Sequence, residues 1–184
     1  MMQINNVIAQ CANKNGRLLD PAQIRYLVIH HCSLSKKAPG NDNPIPDDKL
    51  TGPLLAKAFK DLRLGTTGCT PYHFLITYTG IDQLLQLSVR GAHARAWNDR
   101  SIGIAVVADE DNKVPPLQSQ RDNLIALLRV LYPINGGLEI VGHTQLAGAS
   151  ADPHKVCPGP LLNPDQLSAE TISLAAVLYH GIVI

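Results

Sequence analysis

The sequence predicts an α/β fold, a single mixed β-sheet of about five strands flanked by helices. Short apolar, β-rich runs recur along the chain at residues 26–30, 72–78, 101–107 and 138–141. Helical apolar stripes fall between and after them. Polar stretches rich in Gly, Pro, Asn and Asp separate the two kinds of segment, so each run is bounded.

Residues 3–13 set Ile4, Val7, Ile8 and Cys11 at i, i+3, i+4 and i+7. That is one helical face, so residues 1–23 are expected to form a helical N-terminal extension, with Asn15-Gly16 as its stop. Residues 26–30 read as a buried central strand. Residues 33–49 read as a long surface loop, the kind that often carries function. Leu54, Leu55, Ala58, Phe59 and Leu62 form the stripe of a helix over 53–64 that ends at Gly65. Residues 72–78 and 83–88 flank Thr79-Gly80 as a hairpin. Residues 91–100 are polar and irregular, and 101–107 form another buried strand. Leu117, Leu124, Leu128 and Leu131 share one helical stripe, with Ser119 and Asp122 as a capping box at its start. Residues 138–141 make a short strand leading into Gly142-His143. Asn163-Pro164-Asp165-Gln166 is a helix start, with Asn at the cap, Pro at the first helical position and Gln closing the box. That last helix runs to about residue 180. No repeat, low-complexity tract or linker divides the chain, so one domain over residues 1–184 is expected.

A chain of 184 residues can bury a real core. With 45% apolar and 17% charged residues it is globular rather than disordered. A formal net charge of +1 argues against nucleic acid as the main partner. No apolar run approaches the roughly 20 residues that span a bilayer. Residues 1–20 lack a charged segment followed by an apolar one, so no Sec signal peptide is expected and synthesis is cytoplasmic. The four cysteines, Cys11, Cys32, Cys69 and Cys157, are too few for a disulfide-built fold, although Cys32 and Cys69 are open to pairing.

The chemistry concentrates at the ends of the predicted strands. His30-His31-Cys32 closes one strand, Gly142-His143 closes another, and Cys157 sits just before a Pro-Gly-Pro turn. A lone His is usually a satisfied polar residue, but this conjunction is unusual. Two imidazoles and one thiolate on separated segments make a three-ligand zinc site with its fourth position open, the catalytic arrangement. The spacing from His143 to Cys157 is not a zinc-finger spacing and there is no CxxC pair, which argues against a structural site. On residues alone His31, His73 and His154 remain rival ligands. The rival chemistry is a Cys157 nucleophile with His143 or His154 as its base.

Five segments, in order, resemble a known family. They are Val28-Ile29-His30-His31-Cys32-Ser33, then Pro71-Tyr72-His73-Phe74-Leu75-Ile76, then Gly91-Ala92-His93 through Asn98 with Ser101-Ile102-Gly103-Ile104. Val141-Gly142-His143 and His154-Lys155-Val156-Cys157-Pro158-Gly159-Pro160 complete the set. Together they resemble the type 2 N-acetylmuramoyl-L-alanine amidases, which include small phage amidases and the peptidoglycan recognition proteins. The resemblance spans about residues 24–180. It implies an amidase fold, one zinc held by His30, His143 and Cys157, and catalytic roles for Tyr72 and Lys155. His30 is preferred to His31 by the family's pattern around the ligand. His93, Asn98 and His154 would line the substrate groove. Two departures stand out: the loop from His143 to Cys157 is longer than in compact phage members, and Ala105-Val106 stands where some members carry Glu.

The implied reaction is hydrolysis of the amide between the lactyl group of N-acetylmuramic acid and L-alanine of the stem peptide. Zinc would acidify water and polarise the carbonyl. Lys155 would stabilise the oxyanion and Tyr72 would orient water or shuttle a proton. Without the resemblance, Tyr72 reads as a core aromatic. The implied partner is peptidoglycan or a muropeptide, with the chain a monomer binding neither nucleic acid nor membrane. The enzyme would act on the cell wall after release by a non-Sec route, as an endolysin-like or antibacterial protein, or on wall fragments in the cytoplasm. Delivery as an effector would bring an immunity or inhibitor protein with it. The alternative is a recognition module that binds peptidoglycan without cutting it. Non-catalytic members lack the thiolate ligand, whereas this chain has Cys157.

Overall fold

The computed structural model describes residues 4–11, 17–32, 46–61, 70–108, 115–149 and 156–179. Its strands are β1 (Ile4–Asn6), β2 (Tyr26–Cys32), β3 (Phe74–Ile76), β4 (Ile81–Gln83), β5 (Ser101–Val107) and β6 (Glu139–Gly142). Its α-helices are α1 (Gly52–Asp61), α2 (Gln118–Leu131) and α3 (Pro164–Tyr179). Among the described residues the strands form one six-stranded sheet in the order β1-β4-β3-β5-β2-β6.

The two longest strands, β5 and β2, are interior, each paired on both edges. All seven residues of β5 are buried, as are Leu27, Val28, Ile29 and His30 of β2. These two strands pair in parallel from Tyr26↔Ser101 to Cys32↔Val107. β6 joins the free edge of β2 in parallel, and β3 joins the far edge of β5 in parallel. β4 returns antiparallel to β3 as a hairpin, but its return strand is Ile81–Gln83, directly after Gly80, rather than residues 83–88, and β1 adds in parallel at the edge. The sheet is therefore mixed.

Alternation along the strands gives the two faces different tasks. Leu27, Ile29, Ile102, Ile104 and Val106 join Leu124 and Leu128 of α2 and Leu167 of α3 in the main core. On the other face Cys32, Leu75, Ala105 and Val107 meet Leu55 and Ala56 of α1. Val28 meets Ala94, Val141, Leu146 and Ala149 on that same face. His30 lies between Val28 and Cys32 on β2, so it is buried on this second face, away from α2 and α3.

The main departure from expectation is at the start of the chain. Ile4–Asn6 is an exposed edge strand, followed by a single 3-10 turn at Ile8–Gln10, not a helix. A helix this short is marginal in water. Pairing Ile4↔Ile81 through Asn6↔Gln83 satisfies the backbone instead. The two asparagines add bonds that a helix would forgo: Asn5 Nδ2 donates to Asp82 Oδ1 at 3.2 Å, and Ile8 N–H donates to Asn6 Oδ1 at 3.2 Å. This strand is the sixth beyond the five expected. At α2 the Ser119–Asp122 box gives way to another arrangement. Leu117 N–H donates to Gln120 Oε1 at 2.8 Å, and Asp122 accepts from Gln118 Nε2 at 2.8 Å. Gln120 is buried and its Nε2 also donates to Val107 O at 2.8 Å, which ties the helix start to the end of β5. At α3 the predicted cap is present, with Asp165 N–H donating to Asn163 Oδ1 at 2.9 Å. No helix among the described residues is long and apolar enough to cross a membrane. Cys69, Gly65, Leu62 and the Asn15-Gly16 stop lie outside the described residues.

Candidate metal centre

Strand register assembles the site. Ile29 of β2 pairs with Gly142 of β6. The next residue after each is a histidine, so His30 on β2 and His143 just past the end of β6 stand side by side. Their rings are 4.6 Å apart between centroids, inclined at 42°. His143 opens a 3-10 turn, His143–Gln145, which is fixed by Gly142 N–H donating to Gln145 Oε1 at 2.6 Å.

Cys157 arrives from a segment far along the chain. Its carbonyl accepts from Thr144 N–H and Thr144 Oγ1, both at 3.0 Å. The peptide bond to Pro158 is cis, and His31 Nδ1–H donates to Pro158 O. A Cβ at Gly142 would stand 2.8 Å from Pro158 Cδ and 3.2 Å from Pro164 Cγ. Only glycine lets this segment lie so close to β6.

The result is a buried group of His30, His143 and Cys157 whose ligating atoms all lie within 4.8 Å of one another. Cys157 Sγ is 3.8 Å from His30 Nδ1. A tetrahedral ion with bonds of about 2.0–2.3 Å sets its donors roughly 3.5 Å apart, so this spacing suits one. Each imidazole also uses its other nitrogen. His143 Nε2–H donates to Ala149 O at 3.0 Å, and His30 Nε2 lies 3.0 Å from His93 Nδ1. Zinc-binding histidines are held in this way, one nitrogen on the metal and one on a neighbour. The donor set, two imidazoles and a thiol from three elements, fits zinc.

The model of the family described as N-acetylmuramoyl-L-alanine amidase matches residues 20–160. The chain belongs to this family. A peptidoglycan-recognition protein of Drosophila melanogaster is 27% identical over 147 residues, covering 78% of this chain and 71% of that protein. Among solved structures, the endolysin N-acetylmuramoyl-L-alanine amidase LysCS of Clostridium intestinale superposes with a TM-score of 0.65 at 23% identity, over 92% of this chain and 96% of that one. Drosophila peptidoglycan recognition protein SD gives a TM-score of 0.66 at 20% identity, over 91% and 94%. At these identities the superpositions establish the amidase fold.

Around the three donors the amidase fold places further polar groups. Tyr72 is half-buried, its ring centroid 5.0 Å from that of His30. Burial, then the charges of Cys32 and Cys157, hold its hydroxyl pKa well above the ordinary value of 10.0. His93 is buried, and burial, then His73 and His143, push its pKa well below the ordinary 6.5. Asn98 is buried too, its Oδ1 accepting from His93 N–H and Ala94 N–H at 2.9 and 2.8 Å. His73 faces the core, with Nε2–H donating to Val89 O at 2.9 Å and Nδ1 accepting from Gly103 N–H at 3.0 Å. His31 alternates to the opposite side of β2 from His30 and is half-buried. His154 and Lys155 lie outside the described residues. Ser101, Gly103, Gly142 and Thr144 carry contacts that no reading of titratable residues finds. For Ser101, Gly103 and Gly142 the signal lay in the Ser-Ile-Gly and Gly-His segments already matched by resemblance; Thr144 carried none.

Proposed function

We propose that the chain is a zinc-dependent amidase that hydrolyses the amide between the lactyl group of N-acetylmuramic acid and L-alanine of the stem peptide. The observation that carries this reading is the buried three-donor group of His30, His143 and Cys157 in a chain of this family. Zinc held there would acidify water and polarise the scissile carbonyl. The chain's own residues supply the rest. Ala149 O orients the His143 ring, and the two bonds from Thr144 anchor the Cys157 backbone. A tyrosine hydroxyl is protonated at neutral pH and burial pushes the Tyr72 pKa further up, so in this reading it serves as a hydrogen-bond and proton donor. Lys155, two residues before Cys157, is assigned to oxyanion stabilisation, and His154 to the substrate groove.

The substrate assignment draws support from a further structural neighbour, peptidoglycan recognition protein LE. It was solved with tracheal cytotoxin, a monomeric diaminopimelic acid-type peptidoglycan, and has a TM-score of 0.59 at 18% identity. A second reading, binding without cleavage, is favoured by the similarity to the Drosophila melanogaster recognition protein that is 27% identical. Zinc-loaded and chelator-stripped protein, each incubated with a purified muropeptide and followed by mass spectrometry, separates the two. The amidase reading expects free stem peptide and peptide-free sugar from the loaded protein only. Recovery of intact muropeptide from both, with binding retained, supports the recognition module.

A further inference from the structure

The resemblance places the segment from His93 to Ser101 on the groove wall, yet its polar atoms point inward. His93 and Asn98 are each 7% exposed, and Ser101 is 0% exposed. A line of contacts runs from this segment to the candidate ligand. Ser101 Oγ lies 2.8 Å from Trp97 O and 3.3 Å from His93 Nε2. His93 Nδ1 lies 3.0 Å from His30 Nε2.

The direction of every bond follows from one end. A carbonyl has no proton to give, so Ser101 Oγ–H donates to Trp97 O. That uses the only proton of the hydroxyl. The contact between Ser101 and His93 must then have His93 Nε2–H as donor. A neutral imidazole carries one N–H, which leaves His93 Nδ1 as an acceptor. His30 Nε2–H fills that acceptor. The lone pair of His30 is then on Nδ1, the atom 3.8 Å from Cys157 Sγ.

We propose that His93 is a positioning residue which, backed by Ser101, fixes His30 in its Nε2–H tautomer and so presents Nδ1 as a zinc ligand. The inference rests on the zinc reading of the site. The neighbouring residues are arranged for this task. Asn98 holds the backbone of His93 and Ala94 through two N–H groups. Gly103 leaves room for the ring, since a Cβ there would stand 2.5 Å from His93 Cγ and 2.8 Å from His93 Nδ1. His73 Nδ1 accepts Gly103 N–H and pins the strand beneath that ring. The line ends on a backbone carbonyl rather than a carboxylate. It therefore sets the tautomer without adding a formal negative charge behind His30.

Long-range proton–nitrogen NMR on ¹⁵N-labelled, metal-free protein reads the tautomers directly. Nε2–H on both His30 and His93 is the expected result, and Nδ1–H on His30 overturns the inference. Zinc affinity by chelator competition gives a second reading on variants. His93→Ala is expected to weaken zinc binding about 10–100-fold, the usual range for loss of such a partner. His93→Asn, whose Oδ1 falls near the place of the lost Nδ1, is expected to recover most of it. Equal affinity in His93→Ala and wild type, or no recovery in His93→Asn, overturns the inference. Should a variant fail to fold, the NMR result on the wild type decides. Neither measurement uses catalysis, so a protein that holds zinc with this tautomer and cuts nothing refutes the amidase reading alone.

Discussion

Burial sets the proton chemistry of the side chains around His30. Burial pushes the Tyr72 hydroxyl pKa above its already high ordinary value, so in the proposed amide cleavage it is a donor of a hydrogen bond or a proton. Tyr72→Phe is therefore expected to lower kcat by roughly 10²–10⁴-fold while zinc affinity stays near wild type. Steady-state kinetics beside a chelator titration checks both halves, and a loss of zinc with kcat per bound metal unchanged would contradict the assignment. His73 shows the opposite effect, with its pKa lowered by burial from 6.5 to about 4. The unfolded chain binds this proton near pH 6.5 and the folded chain does not. His73 thus contributes stability that is present above pH 6.5 and lost as pH falls through about 4. The loss between pH 7 and pH 4 amounts to about 3 kcal/mol. Denaturant unfolding of metal-free wild type and His73→Gln at the two pH values separates it from the like effect of His93, and an equal pH dependence in both would show that His73 is not held neutral.

Pairing between elements brings the two candidate histidine ligands together. The parallel pairing of β2 with β6 puts His30 beside His143, and glycines let neighbours close in. Gly142→Ala would drive a methyl group to 2.8 Å from Pro158 Cδ, so the Cys157 segment has to move. We expect an overpacking cost of about 1–3 kcal/mol, with weaker zinc binding and an unchanged circular dichroism spectrum. Asn163→Ala is the matched control at the start of α3. It should cost about 1 kcal/mol through the lost cap and leave zinc affinity unchanged. The same elements show what the sequence could reveal. The strand at residues 101–107 and the helix at α3 were legible because their signals are local, a buried β-rich run and a cap. β1 was not, because four apolar residues at helical spacing say nothing about the strand edge that β4 offers. The Gln120 cap of α2 escaped for a related reason, as its worth comes from Val107 O across the sheet.

At the scale of the molecule, the three candidate ligands His30, His143 and Cys157 lie far apart in sequence and meet only because the sheet brings their segments together. Their residue types could be read from the sequence, and the resemblance chose among the histidines, but physical spacing alone left His31, His73 and His154 as rivals, of which His154 lies outside the described residues. Strand alternation and burial set two of the rivals apart: His31 turns to the other side of β2, and His73 spends both ring nitrogens on backbone groups. The roles of His93 and Asn98 were the least legible, since a polar segment gives no sign that it will fold inward. The main core, between the sheet and α2 with α3, lies on the face opposite His30. Stripping the metal is therefore expected to abolish cleavage while the circular dichroism spectrum stays native, unlike a zinc finger, which unfolds. Loss of the spectrum with the metal would show that the ion is structural.

The most direct test measures metal content and muropeptide cleavage side by side on the native protein and on Cys157→Ser. The account predicts about one zinc per chain and released stem peptide from the native protein, and the loss of both from the variant. A native protein that carries no zinc, or a variant that keeps both zinc and cleavage, would contradict it.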